Sequence, residues 1–452
     1  MKKRDYAEIT PELLQLTDLL ERNGQIDKEL YERYQVNRGL RDLNGNGVLT
    51  GLTEISEVDA KTPEGKPKEG ELFYRGYPLP DLIRGMISEK RFGFEEITYL
   101  LLFGALPDEG ELKGFQELLG SYRSLPNSFV RDIIMKAPST NIMNSMARSV
   151  LTLYSYDRNP DDLSLPNVLR QCIQLIAMFP QLALHSYQAY DYYRRDSASF
   201  FIHDPRPELS TAENILYMLR LDGKYTEVEA RVLDMALVLH AEHGGGNNSS
   251  FTTHVVTSSG TDTYAAISSA LGSLKGPKHG GANIKVTHMF EEIRSHVKDW
   301  SDEGEITSYV QRILSGEAFD RTGLVYGIGH AIYSKSDPRA EIFRGFVRDL
   351  AREKNNEQEF HLYETVERAA VNLITGQRKI YKGVCANVDF YSGFVYQMLG
   401  IPEELFTPIF AIARIAGWSA HRIEELINGN RIIRPSYRAV QPRREYVPLG
   451  KR

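Results

Sequence analysis

Residues 226–246 read TEVEARVLDMALVLHAEHGGG, and the reading of this stretch decides the fold. Thr226 followed three residues later by Glu229 is a capping box, in which hydroxyl and carboxylate each take up an N–H that a helix start leaves free. Val228, Val232, Met235, Ala236 and Leu239 then fall on one helical face. Gly244 onward ends the run, because glycine adopts the left-handed conformation just past a helix C-terminus at little cost. The same 3.6-residue period recurs in ITPELLQLTDLLERNG (9–24), FEEITYLLLFGALP (94–107), PELSTAENILYMLRL (207–221) and EELFTPIFAIARIAGWSAHRIEELING (403–429). The first of these opens on a Thr10-Pro11 helix-start signal. Strand character is confined to GVLTGLTEISEVDA (47–60) and GELFYRGYPL (70–79), separated by a Pro/Gly/Lys turn region, which predicts one small hairpin near the N-terminus. The fold class expected is all-α.

The 452 residues are enough for two domains, and 42% hydrophobic with 25% charged residues is ordinary for a globular chain with a real core. A net charge of −6 argues against nucleic-acid binding through a broad basic surface, while leaving room for local positive pockets. Cys172 and Cys385, far apart in sequence, form neither a disulfide framework nor a CxxC pair. With an N-terminal MKKRDYAEITPELLQL that lacks an apolar core, this predicts a cytoplasmic protein. The most apolar run, TPIFAIARIAGW (407–418), falls short of the roughly 18 residues of a membrane span, so no membrane partner is expected.

The chemistry-bearing residues gather in four places. His240 and His243 lie three apart at the end of the 226–240 helix. HAEH is not HExxH, and with no Cys or Asp donors near at ligand spacing, no metal is expected there. The plainer reading is a pair of histidines stabilising a helix C-terminus. DTYAAISSALGSLKGP (262–277), rich in small residues, predicts a tightly packed helix that breaks at Gly276-Pro277 and delivers His279 into a glycine turn facing a cleft. GLVYGIGHAIYSKSDPRA (323–340) places Gly327 and Gly329 before His330, with Arg339 close behind. Glycines let backbone amides approach a ligand, and arginine grips a carboxylate by two hydrogen bonds. In CANVDFYSG (385–393), Asp389 sits between Val388 and Phe390, where desolvation raises its pKa and makes it a better base; it also reads as a plain helix N-cap. Arg414, amid Phe410, Ile412 and Ile415, is costly to bury without an anion. Arg434 also reads as a surface residue. Three histidines, one shielded carboxylate and several arginines suit acid/base chemistry on a carbon acid and a small polycarboxylate, without naming the reaction.

HAEHGGGN, GPKHGGAN, GIGHAIYSKSDPR, NVDFYSG and the Arg414/Arg434 pair, in this order and from GLRDLNGNGVLTGLT almost to the C-terminus, make the chain resemble the citrate synthase family. The resemblance implies a citrate-synthase-like two-domain helical fold: a large domain of residues 1–281 and 391–452, and a small domain of residues 282–390 over the cleft. It further implies a homodimer. Asp389 would take a methyl proton from acetyl-CoA, His279 would stabilise the enol, and His330 would polarise and protonate the oxaloacetate ketone. His243, Arg339 and Arg414 would bind oxaloacetate carboxylates, joined by Arg434 from the other subunit. Acetyl-CoA enters as co-substrate, with no permanently bound cofactor and no metal. Gly327, Gly329, Lys335 and Lys382 are the positions expected to meet CoA, with Arg378 and Lys379 as further cations. Two departures stand out. Ser334 occupies the position where the family often has Lys or Arg, and Ala386 precedes NVD in place of the usual proline. A 2-methylcitrate synthase working on propionyl-CoA, a non-catalytic paralogue and, more distantly, a metal hydrolase are the competing readings.

Overall fold

In the computed structural model the described residues are 9–42, 47–194, 201–330, 332–378, 383–429 and 431–451. They form two units, Met1–Leu52 and Thr53–Arg452. The first holds the helices Pro11–Gly24 and Lys28–Arg33, each started by a side chain: Thr10 Oγ1 accepts from Leu13 N and Asp27 Oδ1 from Glu29 N.

Among the described residues, the second unit is mainly helical, with one antiparallel sheet of β1 (Ser56–Lys61), β2 (Pro67–Tyr74) and β3 (Tyr77–Pro78). The expected hairpin is present in a shifted and extended form. β1 starts only at Ser56, paired with Tyr74, and the ladder bulges between Asp59 and Lys61. Residues 47–55 stay outside it: Leu49 and Leu52 are 84% and 90% exposed, and only from Ile55, which is buried, does the apolar pattern reach the core. β3 was hidden in the YRGYPL run. Arg75 and Gly76, both at positive φ (49° and 82°), turn β2 straight back into it.

The centre of the unit is the helix Phe406–Asn428, whose residues from Phe406 to Arg422 are all buried. It packs on the helices Leu165–Arg194, Asn248–Thr257, Phe94–Phe103, Glu227–His240 and Thr263–Leu274. The capping box at Thr226 forms as expected, and Gly244 takes a φ of 87°. Gly417, in mid-helix, is glycine because a Cβ there would meet Glu242 Oε2 at 2.1 Å and Ala241 O at 2.6 Å. The loop that follows the Glu227–His240 helix is therefore pressed directly on the central helix. No helix among the described residues is long and apolar enough to cross a membrane.

The small sheet holds two loops. Ser56 Oγ donates to Glu242 Oε1 and accepts from Gly244 N, both at 3.1 Å, and the Tyr74 hydroxyl reaches the Val238 and Glu242 carbonyls. On the other side, Gly70 N donates to Ser336 Oγ at 3.1 Å, and a Cβ on Gly70 would collide with Ser336 and Tyr333. Segments 240–244 and 330–339 are thus anchored to one rigid element.

Candidate active site

Six of the sequence-selected residues come together. The His243 and His330 rings meet edge to face, centroids 5.1 Å apart, and Tyr333 stacks on His330 at 4.8 Å. Arg339 lies over the Tyr333 ring at 5.9 Å. Arg414 lies over Phe410 at 4.8 Å, and His279 meets the same ring at 6.2 Å. Asp389 feels the charges of Arg339 and Arg414. His243, Arg339 and Arg414 are buried, whereas His279, His330 and Asp389 keep partial solvent access. Deep cations and an imidazole therefore lie behind three partly open acid/base groups.

His330 is held by the turn that follows it. Its Nδ1 accepts from Ile332 N (3.1 Å) and Tyr333 N (3.2 Å), so the ring proton sits on Nε2, which is left as a donor. Burial and the Arg339 charge bring its pKa down to about 4, so the ring is neutral at pH 7. His279 likewise falls to about 4, chiefly through desolvation with Arg414 adding to it. Its Nε2 meets Ser249 Oγ at 3.0 Å, and that buried hydroxyl also accepts from Trp418 Nε1 and donates to Asn247 Oδ1 at 3.0 Å. The ring is clamped through one nitrogen, leaving Nδ1 for a ligand.

Segments 327–329 and 385–387 are clipped together. Gly329 N donates to Cys385 O (2.7 Å), Asn387 N to Gly327 O (2.8 Å) and Asn387 Nδ2 to Gly329 O (2.9 Å). Gly327 is at φ 79°, and a Cβ on it would touch Phe390 at 2.9 Å. The two glycines thus have a structural task, setting His330 against the helix Asp389–Met398, and the Gly329 N–H is engaged there. That helix begins at Asp389 itself and has no side-chain cap, so its carboxylate is not the N-cap that the sequence also allowed. Desolvation raises the Asp389 pKa to about 6, against the pull of Arg339.

The cations are arranged differently from one another. Arg339 is gripped by Asp337 through Nε (3.1 Å) and Nη2 (2.8 Å), and this buried carboxylate outweighs desolvation to raise its pKa. Arg414 donates Nε to His240 O at 2.7 Å, while Nη1 and Nη2 are buried without a partner. Desolvation lowers its pKa to about 10. His243 Nε2 is likewise a buried atom without a partner, and burial beside Arg339 holds that ring well below the usual histidine range. Buried polar groups are nearly always hydrogen-bonded. Three such orphans among buried cationic and imidazole groups mark a place built for an anion rich in oxygen.

His240 has a structural place: Nδ1 donates to Ala236 O at 2.7 Å, and the ring packs edge-on against Phe410. Arg434 is not among the buried groups, lying on the exposed segment after Asn428. Lys335 is exposed, and Lys382 and Lys379 lie outside the described residues, as does the Arg378 side chain. Sequence reading missed Ser249, Asn247, Trp418, Asp337 and Glu242. Only Asp337, two residues before Arg339, carried a local signal.

Residues 42–436 match the family model described as citrate synthase, C-terminal domain. A citrate synthase of Acidithiobacillus ferridurans is 36% identical over 417 residues, spanning 90% of this chain and 97% of that protein. A 2-methylcitrate synthase of Corynebacterium glutamicum is 32% identical over 427 residues, 92% of this chain and 99% of that protein. Among solved structures, the citrate synthase of Pyrobaculum aerophilum superposes with a TM-score of 0.74 at 30% identity, over 92% of this chain and 95% of that one. That of Thermoplasma acidophilum, a ternary complex with carboxymethyl coenzyme A and oxaloacetate, superposes with a TM-score of 0.75 at 26% identity, over 92% of this chain and 99% of that one.

Proposed function

The chain belongs to the citrate synthase family, a family of acyltransferases, and we propose that it joins acetyl-CoA to oxaloacetate and hydrolyses the resulting citryl-CoA to citrate and CoA. The observation that carries this reading is the set of orphaned atoms, Arg414 Nη1 and Nη2 with His243 Nε2, beside two neutral histidines and a carboxylate of raised pKa. Oxaloacetate supplies the missing acceptors: its carboxylates meet Arg414, His243 and the free edge of Arg339, which Asp337 keeps in a fixed orientation.

The acid/base groups then divide the work. The Asp389 carboxylate takes a methyl proton from acetyl-CoA, a step that a weakly acidic thioester permits only if the developing enolate oxygen is stabilised. His279, held at Nε2 by Ser249 Oγ, does this. The enol carbon attacks the oxaloacetate ketone, and the new alkoxide takes the Nε2 proton of His330. Water then cleaves the thioester, releasing CoA. Closure of residues 282–390 over the cleft would exclude bulk water and bring His330 and Asp389 onto the substrate. In the homodimer, Arg434 of the second subunit joins the carboxylate site, and Lys335 with Lys382 meets the CoA phosphates near Gly327 and Gly329. A cytoplasmic location belongs to the same reading, with Cys172 and Cys385 both unpaired.

The test is CoA release on mixing the protein with oxaloacetate and either acetyl-CoA or propionyl-CoA. Acetyl-CoA turned over at least about tenfold faster is the expected result, a margin that one methylene in an acyl pocket readily provides. The reverse order would assign the 2-methylcitrate reaction, and folded protein silent with both would overturn the condensing function.

A further inference from the structure

The geometry points to a divalent transition-metal site, separate from the catalytic residues, with His254 Nε2, His421 Nδ1 and Glu424 Oε2 as its ligands. His254 lies on the helix Asn248–Thr257, and His421 and Glu424 lie one turn apart on the helix Phe406–Asn428.

The hydrogen bonds fix where the ring protons sit. His254 Nδ1 is 2.8 Å from Glu425 Oε2, and His421 Nε2 is 3.1 Å from Glu242 Oε1. Ionised carboxylates only accept, so each ring carries its proton on the nitrogen that faces its carboxylate. The other two nitrogens, His254 Nε2 and His421 Nδ1, face each other at 3.0 Å with lone pairs. Two lone pairs at that distance need a cation between them, either a proton or a metal ion.

Glu424 favours the metal. Its Oε1 accepts from Glu54 N at 2.8 Å, while Oε2 is buried without a hydrogen-bond partner, 3.9 Å from His421 Nδ1. The three donor atoms lie within 4.8 Å of one another. A proton can bridge two nitrogens but leaves the third atom, an anionic one, unanswered; a dication answers all three. Ligands of a tetrahedral zinc at about 2.0–2.1 Å stand about 3.3 Å apart, a value that the observed 3.0 and 3.9 Å bracket. Glu242 and Glu425 are the outer carboxylates that metal-bound imidazoles usually have. Gly245 keeps one side open: a Cβ there would stand 3.3 Å from His421 Cε1 and 3.7 Å from His254 Nε2. His254 and Glu425, 14% and 15% exposed, leave a route from solvent. Two imidazoles and one carboxylate suit zinc or another late first-row dication, with water completing the shell. Spacing rules are blind to such a site, because its histidines are 167 residues apart.

The test is cobalt(II) binding to protein stripped of metal by chelator dialysis, read by visible absorption, with zinc(II) as competitor. The expected result is one cobalt per chain, displaced by one zinc, and a rise in the thermal unfolding midpoint on adding either ion. His254→Asn and Glu424→Gln should each weaken binding at least tenfold and remove the midpoint rise, with circular dichroism showing that both variants fold. Folded wild-type protein that takes up no ion would mean that a proton bridges the histidines, and would overturn the site. Binding that neither variant weakens would overturn it too, since the ion would then sit elsewhere. The outcome is independent of whether the chain condenses acyl-CoA.

Discussion

Replacing Asp389 by Asn should raise stability and remove activity together, and the structure gives the size of both effects. Folding lifts the Asp389 pKa from an ordinary 3.8 to about 6 because desolvation disfavours its charge. Below about pH 4 the group is protonated in both folded and unfolded chains and costs nothing. Between pH 4 and 6 the unfolded chain ionises first, and above 6 the full penalty applies. Two pKa units correspond to about 3 kcal/mol, and residual solvent access discounts this to about 1–2 kcal/mol. Asp389→Asn should therefore raise the unfolding free energy by about 1–2 kcal/mol at pH 7, and by little at pH 4. Loss of a positioned base costs about 10²–10⁴-fold in turnover.

The same pKa fixes the wild-type pH profile. At pH 7 about 90% of Asp389 is ionised and at pH 5 about 10%, so kcat/KM should fall about tenfold between them. His279 and His330, both at about 4, stay neutral across this window and do not blur the limb. An aspartate left at 3.8 would lose less than about 10% over the same range. Loss of thioester ultraviolet absorbance is the suitable assay, because thiol reagents react slowly in acid. A profile flat to pH 5, or an Asn variant retaining more than a few per cent of turnover, would show that Asp389 is not the base.

Ser249→Ala removes the hydroxyl shared by His279 and Trp418, so kcat should drop while the KM for oxaloacetate changes little; an unchanged kcat would exclude a positioning role for Ser249. Gly417→Ala forces a methyl into Glu242 and Ala241 and should cost about 1–3 kcal/mol in denaturant unfolding; an unchanged midpoint would mean that the 241–242 loop yields freely. On the proposed homodimer, Arg434→Ala should weaken oxaloacetate binding. Mixed dimers of Arg434→Ala with a Asp389→Asn chain should recover part of the activity, because one site then holds both native groups, and no recovery would argue against a shared site.

What was legible in the sequence was what a few neighbouring residues settle among themselves. Thr226 and Glu229 close a capping box whatever lies around them, and glycine-flanked histidines at 243, 279 and 330 advertise turns beside a cleft. The strand assignment overran at residues 47–55 because Val48, Leu49 and Leu52 have strand-like spacing yet stay exposed, and only Ile55 is buried. The hydroxyl that fixes His279 comes from 30 residues upstream, and its other partner, Trp418, from 169 residues downstream. Glu242 and His243 show the limit most sharply. Adjacent in one motif and both buried, they have opposite situations: burial opposes the Glu242 charge, but His421 outweighs it and holds the pKa at about 2, whereas His243 Nε2 has no partner. No local pattern separates a charge already answered by the fold from a polar atom left for a ligand. That distinction depends on the far side of the contact, here a helix residue 179 positions along the chain, and it is the distinction that identifies a binding site.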